Sequence, residues 1–292
     1  MTMEYVFHIL IMLNIYIMLV LSANLTVGMA NLLTMCQAAF YGIGAYVGTF
    51  FLMRFHCPFL VIVAAVSLLT GLFSFLVSYA SVKLKGDYFV LATMGFQLII
   101  YTILYNWTSV TKGPYGIRGI PGIRLFGLWE LSGVYAFLVF SIVLAVLTIL
   151  LFNSIHNSPY GRKLRAVKAD ELMVQSMGRD TAAAKSWAFF ISATVAGVAG
   201  VLYASYVTYI DPTSFTLNES IFIISALFIG GVGNIKGPVL GALFVILLPE
   251  LLRFVGLPDS IAANLRQIIY GLSLVLVVFF RPQGLLGRVV MK

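Results

Sequence analysis

Charged residues are scarce in this 292-residue sequence, where they make up 10% of the chain. Soluble domains usually carry about 25% charged residues, so a water-soluble fold of this composition would leave extensive apolar surface in water. The mean hydropathy of +1.02 and the 61% share of hydrophobic residues agree with that conclusion. These values exclude an ordinary soluble protein and predict that the lipid bilayer is the solvent for most of the chain.

Residues that carry chemistry are also few and scattered. The sequence has only two cysteines, Cys36 and Cys57, and three histidines, and no pair among them has metal-ligand spacing. No Walker lysine motif and no spaced set of nucleophile and base occurs. We therefore expect no catalytic residue, no metal and no cofactor in this chain, and we expect that it is not an enzyme. A membrane-embedded enzyme would require acids or histidines clustered at one face.

Long apolar runs separate the few charges. No Asp, Glu, Lys or Arg lies between Glu4 and Arg54. A helical span needs about 20 apolar residues, whereas a barrel strand needs about 9–11 residues that alternate in polarity. Because these runs are continuous, we predict an all-α, polytopic transmembrane bundle that forms a single domain over residues 1–292. The predicted spans, about nine in number, are 5–23, 29–50, 58–80, 88–107, 133–153, 186–208, 218–233, 237–254 and 264–281.

The basic residues lie in short segments between the apolar runs. The net charge of +8 therefore indicates loops beside anionic lipid and not a nucleic-acid partner. The segment 154–185 holds six of the basic residues, so we assign it to the cytoplasm. With alternating spans, this assignment places 12 basic residues inside and six outside. It also predicts an external N-terminus and a cytoplasmic C-terminus.

The segment 154–185 contains helix start and stop signals. Ser158 followed by Pro159 predicts an N-cap and a first-turn proline. Asp170 is placed to cap a second short helix, which Gly178 would terminate. We predict two short helices with apolar and charged faces. The surface that they form suits docking to a cytoplasmic protein, and the alternative is a basic segment that rests on lipid headgroups.

Two further stretches combine glycine with uncharged polar residues inside apolar sequence. The first, 24–50, predicts either a broken helix that lines a pathway or tight helix packing with local hydrogen bonds. The second, 228–241, has short flanking spans, as in the central region of transporters. Its alternative is a tight cytoplasmic hairpin between two packed helices.

Four motifs, in their order and spacing, resemble the permeases of branched-chain amino-acid ABC importers, and the LivM-type subunit in particular. They are SPYGRKLRAVKADE at 158–171, AAFYGIGAY at 38–46, GGVGNIKGPVLGA at 230–242 and RPQGLLG at 281–287. The resemblance implies a permease in a bacterial cytoplasmic (inner) membrane that pairs with a paralogous permease subunit. It also implies two cytoplasmic ATPase subunits, which use the ATP, and an extracytoplasmic solute-binding protein.

The resemblance further implies roles for particular residues. Residues 158–178, which we term the coupling segment, would sit on an ATPase. Its contact residues would be Ser158, Tyr160, Gly161, Arg162, Asp170, Glu171 and Gly178. The resemblance also implies that the glycine-rich stretches shape the translocation path. Gln37 and Gln97 are uncharged polar groups within apolar sequence, which suit a zwitterionic amino acid. The expected path residues are Gln37, Tyr41, Gly42, Gly44, Gln97, Gly230, Gly231, Gly233 and Asn234.

The implied function is ATP-driven import of branched-chain or related hydrophobic amino acids by alternating access. The alternatives are an ABC permease for urea, short amides or other small solutes, and a carrier driven by an ion gradient. The missing charges between Glu4 and Arg54 disfavour a proton relay, which usually requires acids or histidines within the membrane.

Overall fold

The computed structural model describes most of the chain. The described residues are 3–55, 57–81, 84, 86–125, 129–130, 133–254, 268–269, 271–272, 275–276, 279 and 284–285. Within these residues the secondary structure is predominantly α-helical, and the strands are four pairs of residues near one end of the bundle.

Six helices are long and apolar enough to cross a membrane. They are Met3–Met29, Gln37–Phe55, Phe59–Ala80, Asp87–Asn106, Val134–Asn157 and Thr181–Val207. Two shorter apolar helices follow, Leu217–Gly230 and Lys236–Leu248. The all-α, polytopic class is therefore confirmed, but the count of nine spans is not. The ninth predicted span, 264–281, lies mostly outside the described residues.

The helices follow one another along the chain, with the short strands β1, β2 and β3 between α5 and α6. Their bounds are α1 Met3–Ala23, α2 Gln37–Phe55, α3 Phe59–Ser81, α4 Asp87–Asn106, α5 Thr108–Thr111, α6 Val134–Asn157, α7 Pro159–Ala169, α8 Glu171–Ser176, α9 Thr181–Val207, α10 Leu217–Gly230 and α11 Lys236–Phe254. A π-helix, Asn24–Met29, continues α1, and two 3₁₀ turns cover Gly113–Tyr115 and Pro212–Phe215. The strands are β1 Ile117–Arg118, β2 Arg124–Leu125, β3 Trp129–Glu130 and β4 Tyr209–Ile210.

The second predicted span, 29–50, is wrong at its start, because the chain is not helical from residue 31 to residue 36. The π-helix ends where Asn31 adopts a left-handed conformation with φ of 56°, which asparagine tolerates better than most residues. The backbone N–H of Leu32 turns back to the carbonyl of Thr26 at 2.9 Å. The first helix was predicted to end at residue 23. The π-helix continues it to Met29, and the break follows.

Hydrogen bonds satisfy the backbone of this buried break. The N–H of Met35 donates to Thr93 Oγ1 on α4 at 3.1 Å. The N–H of Ala38, in the first turn of α2, donates to Ser220 Oγ on α10 at 2.9 Å. Non-helical backbone at membrane depth is tolerated only where protein or a wet cavity provides such partners. The structure thus supports the broken-helix interpretation of 24–50.

Helices α1, α2 and α9 form the centre of the bundle, and α4 and α6 lie at its periphery. Of the six long helices, α9 is the most buried. Inside the protein lies 72% of its apolar stretch, whereas the value is 22% for both α4 and α6. The peripheral helices present a continuous apolar surface because lipid is their solvent. Large exposed side chains such as Leu147 and Leu150 on α6 mark that surface.

Two clusters of connecting segments lie at opposite ends of α9. At its N-terminal end, α7 and α8 lie beside residues 30–33 and the first turn of α4 around one cavity. At its C-terminal end, β1 pairs antiparallel with β4, which orders part of the loop 108–132. This separation agrees with the predicted sidedness, in which 154–185 is cytoplasmic and 108–132 is external.

Candidate functional site: the coupling segment and the central polar cluster

The first helix of the coupling segment begins as the sequence predicts. Ser158 Oγ accepts a hydrogen bond from the N–H of Gly161 at 3.1 Å, and Pro159 occupies the first turn of α7. A Cβ at position 161 would lie 2.2 Å from the carbonyl oxygen of Ile155. Gly161 is therefore required for the sharp reversal from α6 into α7.

The second helix, α8, is capped in the same way. Asp170 Oδ1 accepts from the N–H of Met173 at 3.0 Å. Gly178 adopts a left-handed conformation with φ of 74° two residues beyond the helix. Both short helices that the caps predicted are therefore present, and residues 158–178 form a helix-turn-helix at one end of the bundle.

Side-chain contacts hold this helical pair to the transmembrane helices. The hydroxyl of Tyr160 donates to the carbonyl of Ala184 on α9 at 2.7 Å. Lys168 Nζ donates to the carbonyl of Gly28 at the end of the π-helix at 2.9 Å. Burial lowers the pKa of the Lys168 ammonium from its ordinary value.

A salt bridge makes the third attachment. Lys185 Nζ lies 2.7 Å from Glu171 Oε1, and the Lys185 side chain is only 10% exposed. The hydroxyl of Thr181 donates to the same carboxylate oxygen at 3.2 Å. The coupling segment is therefore attached to α1 through Lys168 and to α9 through Tyr160 and Glu171.

Four of the predicted coupling residues have roles within this chain. Asp170 caps α8 and Glu171 binds Lys185. Gly161 and Gly178 allow the backbone to turn. Arg162 is exposed, although its Nη1 donates to the carbonyl of Asn157 at 3.1 Å. Three apolar side chains of the segment are also strongly exposed and were not among the predicted contact residues: Leu172 is 68% exposed, Met173 62% and Met177 69%. The sequence signal was the run of apolar residues in so short a helix, of which the structure buries Val174 and leaves these three outward.

The predicted path residues on α2 lie at a very close helix crossing. A Cβ on Gly44 would lie 2.1 Å from the carbonyl oxygen of Gly197 on α9. Gly42 faces Phe215, whose ring also contacts Tyr41 with centroids 5.0 Å apart. The glycines of α2 therefore permit backbone contact, as small residues do between membrane helices.

Gln37 and Gln97 belong to one buried polar cluster. Gln37 Nε2 donates to Ser22 Oγ and lies 3.4 Å from Ser192 Oγ, so it joins α2 to α1 and α9. Gln97 Nε2 donates to the carbonyl of Phe215 at 2.9 Å, and its Oε1 accepts from Ser220 at 3.3 Å. Both amides are at most 1% exposed. Ser220 connects the two parts of the cluster, because its Oγ also accepts a hydrogen bond from the backbone N–H of Ala38, the residue after Gln37.

The glycine-rich stretch 230–237 forms a tight turn between α10 and α11. Gly231 and Gly233 have φ of 110° and 90°, a region that disfavours other residues. A Cβ on Gly230 would lie 2.0 Å from the carbonyl oxygen of Gly237. The hairpin interpretation of this stretch is therefore supported.

This turn packs against the end of α1. The side chain of Asn24 donates through Nδ2 to the carbonyl of Asn234 at 2.7 Å and accepts at Oδ1 from the N–H of Gly233 at 3.0 Å. Asn24 therefore joins both glycine-rich stretches, although they lie some 200 residues apart in sequence. The predicted path residues thus occupy two neighbouring regions of the bundle, while the coupling residues occupy its end.

Sequence reasoning missed a part-buried contact between a tyrosine and a carboxylate. The hydroxyl of Tyr16 donates to Glu219 Oε1 at 2.6 Å, in the first turn of α10. No local feature of the sequence indicates this contact, because the two residues lie far apart in the chain. Among the described residues, no group of three or more His, Cys, Asp or Glu is placed to hold a metal ion.

Comparison with known proteins gives consistent matches. Residues 5–278 match the family model described as the permease component of the branched-chain amino acid transport system. The chain is 32% identical over 297 aligned positions to the high-affinity branched-chain amino acid transport system permease protein LivM of Escherichia coli K12, covering 93% of this chain and 68% of that protein.

Two archaeal relatives extend the comparison. A probable branched-chain amino acid transport permease protein LivM of Methanocaldococcus jannaschii is 30% identical, over 70% of this chain and 61% of its own length. The probable LivH permease of the same organism is 24% identical, over 94% of this chain and 89% of its own length. No solved structure matches the chain.

The family model covers nearly the whole chain, and the described residues contain six helices long and apolar enough to cross a membrane. The chain therefore belongs to the permease component family of the branched-chain amino acid transport systems.

Proposed function

We propose that this chain is one membrane-spanning subunit of an ATP-driven ABC importer for branched-chain or related hydrophobic amino acids. Its partners are a paralogous permease subunit, two cytoplasmic ATPase subunits and an extracytoplasmic solute-binding protein. The chain itself uses no cofactor and performs no chemistry, because the ATPase subunits bind and hydrolyse the ATP. Its location is the bacterial cytoplasmic (inner) membrane.

Similarity to two kinds of permease supports the pairing. Relatives named LivM and LivH both match the chain, at 32% identity for LivM and 27% for LivH of Escherichia coli K12. Two paralogous permeases of one fold can form a pseudo-symmetric pair, in which each subunit contributes half of a path. Of the two Escherichia coli K12 relatives, LivM is the more identical and covers 93% of the chain against 63% for LivH, so we assign the chain to the LivM-type position.

The single observation that carries the proposal is the attachment of the coupling segment. Its outer surface presents the apolar side chains Leu172, Met173 and Met177, which suit a hydrophobic cleft on a partner. Its inner surface is fixed by the Lys168 contact to α1 and the Glu171–Lys185 salt bridge to α9. A force applied to α7 and α8 would therefore act on the two central helices.

The central polar cluster is suited to respond to such a force. It lies where α2 begins after the break at 31–36, and interrupted helices are common at the sites of transporters. Uncharged groups such as Gln37 and Gln97 interact with a zwitterionic amino acid without the cost of a buried charge. Alternating access would then change which side of the membrane this region faces.

Docking is tested by replacing the exposed apolar side chains of α8. We expect Leu172→Asp combined with Met173→Asp to abolish co-purification of the ATPase subunits and ATP-driven uptake, while the chain still inserts. These positions test docking more directly than Glu171, because a change at Glu171 also breaks the salt bridge with Lys185. A matched control is Tyr115→Asp, which alters a side chain that is 82% exposed at the opposite end.

Wild-type ATPase binding and uptake in the double variant would overturn the coupling assignment. Uptake by the chain alone, driven by an ion gradient without ATP, would favour a carrier. Uptake of urea or short amides in preference to leucine by the complete complex would favour the alternative substrate class.

A further inference from the structure

A cavity of about 430 Å³ lies between the coupling segment and the end of the bundle. Its volume falls within the range of roughly 300–1,000 Å³ that is typical of small-molecule sites. Four parts of the chain line it: the break after the π-helix, the start of α4, the end of α7 and the Glu171–Lys185 salt bridge. It lies apart from the exposed apolar face of α8 that is proposed to meet the ATPase.

Charges of both signs face this cavity. Lys168 and Lys185 contribute ammonium groups, and Asp87 and Glu171 contribute carboxylates. Each ammonium has three donor hydrogens. Within the described part of the chain Lys168 uses one of them, for the Gly28 carbonyl, so two remain for a ligand. Asp87 makes no hydrogen bond or ion pair with any residue that the structure describes, and it lies in the first turn of α4.

Apolar side chains complete the lining. Leu32 and Leu33 enter from the break, and Phe89 and Val90 enter from α4. Phe89 is 3% exposed, so this part of the wall is fixed by packing. A cavity lined by groups of both charges, in which Lys168 and Asp87 are not paired with each other, and by an apolar wall fits a molecule with a carboxylate, an ammonium and an apolar side chain.

We propose that this cavity is a cytoplasmic site for a free zwitterionic amino acid with an apolar side chain. The ligand carboxylate would bind Lys168, with Lys185 nearby, through charge-assisted hydrogen bonds. The ligand ammonium would bind Asp87, and the side chain would contact Phe89 and Val90. That the ligand is also the imported solute rests on the proposed function, whereas the site itself rests on the cavity.

Occupancy of the site has a mechanical consequence. The ligand would join Lys168 on α7 to Asp87 on α4, two residues with no direct bond in this structure. Motion of α7 relative to α4 would then require release of the ligand. Imported solute that accumulates in the cytoplasm would therefore slow the transport cycle, because a ligand that binds one state preferentially shifts the population toward it.

Binding is measured on the whole complex in nanodiscs of phosphatidylcholine and phosphatidylglycerol, without the solute-binding protein, with leucine as the probe. We expect the wild-type complex to have one saturable leucine site that the Asp87→Asn complex binds at least tenfold more weakly. Any other leucine site should be common to both complexes. The control Glu4→Gln removes a carboxylate at the opposite end and should bind as wild type does. Equal binding by wild type and Asp87→Asn would overturn the proposal. So would loss of binding on adding phosphatidylethanolamine, since a lipid headgroup would then occupy the cavity.

Inhibition is measured as ATPase activity stimulated by solute-binding protein that is already saturated with leucine. Further free leucine should inhibit the wild-type complex and leave the Asp87→Asn complex at its uninhibited rate. If both complexes hydrolyse ATP equally at all leucine concentrations, the site proposal fails and the importer assignment stands. If neither complex responds to loaded binding protein while wild type still binds leucine, the importer assignment fails and the site stands.

Discussion

The coupling segment and the crossing of α2 with α9 are held together by opposite means. In the coupling segment, polar side chains make the stabilising contacts: Ser158 and Asp170 cap helices, and Glu171 binds Lys185. At the α2–α9 crossing, side chains are missing at the closest points, where Gly44 meets Gly197. The coupling segment is stabilised by side-chain contacts. The crossing is stabilised by the absence of side chains, which lets the two backbones approach closely.

The difference follows from the surroundings of each region. Beside water, backbone groups can also hydrogen-bond to solvent. Caps and ion pairs within the segment favour the helical conformation over those alternatives. Between membrane helices, lipid is as apolar as the side chains, so close van der Waals packing supplies much of the association energy. We therefore expect steric changes to dominate at the crossing and electrostatic changes to dominate in the coupling segment.

The largest effect is expected from a single methyl group at the crossing. In Gly44→Ala the new Cβ would overlap the Gly197 backbone at 2.1 Å, and backbone cannot move aside as a flexible side chain can. Overpacking typically costs about 1–3 kcal/mol and occasionally more, and we expect the upper end or beyond. Thermal unfolding of the purified chain in detergent, followed by its monodisperse fraction, measures the loss.

Gly95→Ala is the matched control for this change. Gly95 lies within α4, and a Cβ there would meet nothing within 4 Å. Alanine exceeds glycine in helix propensity by up to about 1 kcal/mol, so this variant should be neutral or slightly more stable. Equal stability of the two variants would contradict the view that the crossing depends on missing side chains.

An intermediate effect is expected at the Glu171–Lys185 salt bridge, and it should be asymmetric. Glu171→Gln leaves the ammonium of Lys185, whose side chain is 10% exposed, without its charged partner. Breaking a fully buried pair costs about 3–5 kcal/mol, and the 29% exposure of Glu171 reduces our expectation to about 2 kcal/mol. Lys185→Gln leaves a carboxylate that water can reach, so we expect a loss of about 1 kcal/mol or less.

Thermal unfolding of both variants at low and high salt separates electrostatics from packing. The Glu171→Gln protein should unfold at the lower temperature, since its remaining charge is the more buried one. A larger loss in Lys185→Gln would show that the lysine stem contributes chiefly by packing. The coupling segment would then resemble the α2–α9 crossing, and the comparison between the regions would fail.

What the sequence could predict follows the same division. The caps at Ser158 and Asp170 were predictable because their partners lie three residues away. The contact of Gly44 with Gly197 was not, since nothing local indicates which helix a glycine will meet. The first span was predicted to end at residue 23, whereas the π-helix continues it to Met29, because the actual end depends on the left-handed conformation of Asn31.

Buried polar residues were predicted by type but not by partner. Gln37 and Gln97 stood out as amides within apolar sequence, and both prove to be buried and bonded. Asn24 lies at the start of the stretch 24–50, but nothing local indicates that it joins α1 to the turn at Gly233. Glu219 was not among the predicted site residues, because its contact with Tyr16 spans 203 residues.

The smallest effect is expected at Gln37, and it tests whether polar bonds matter at the centre. In Gln37→Leu, the hydroxyl of Ser22 keeps its bond to the carbonyl of Leu19, and that of Ser192 keeps its bond to the carbonyl of Ser22. Removal of the amide therefore leaves neither serine without an acceptor. Interhelical hydrogen bonds in membrane proteins average about 0.6 kcal/mol, so unfolding should shift by about that amount. A loss above about 2 kcal/mol would show that the centre depends on its polar cluster as strongly as the coupling segment depends on its salt bridge. If stability holds while ATP-driven uptake falls, Gln37 serves the path and not the fold.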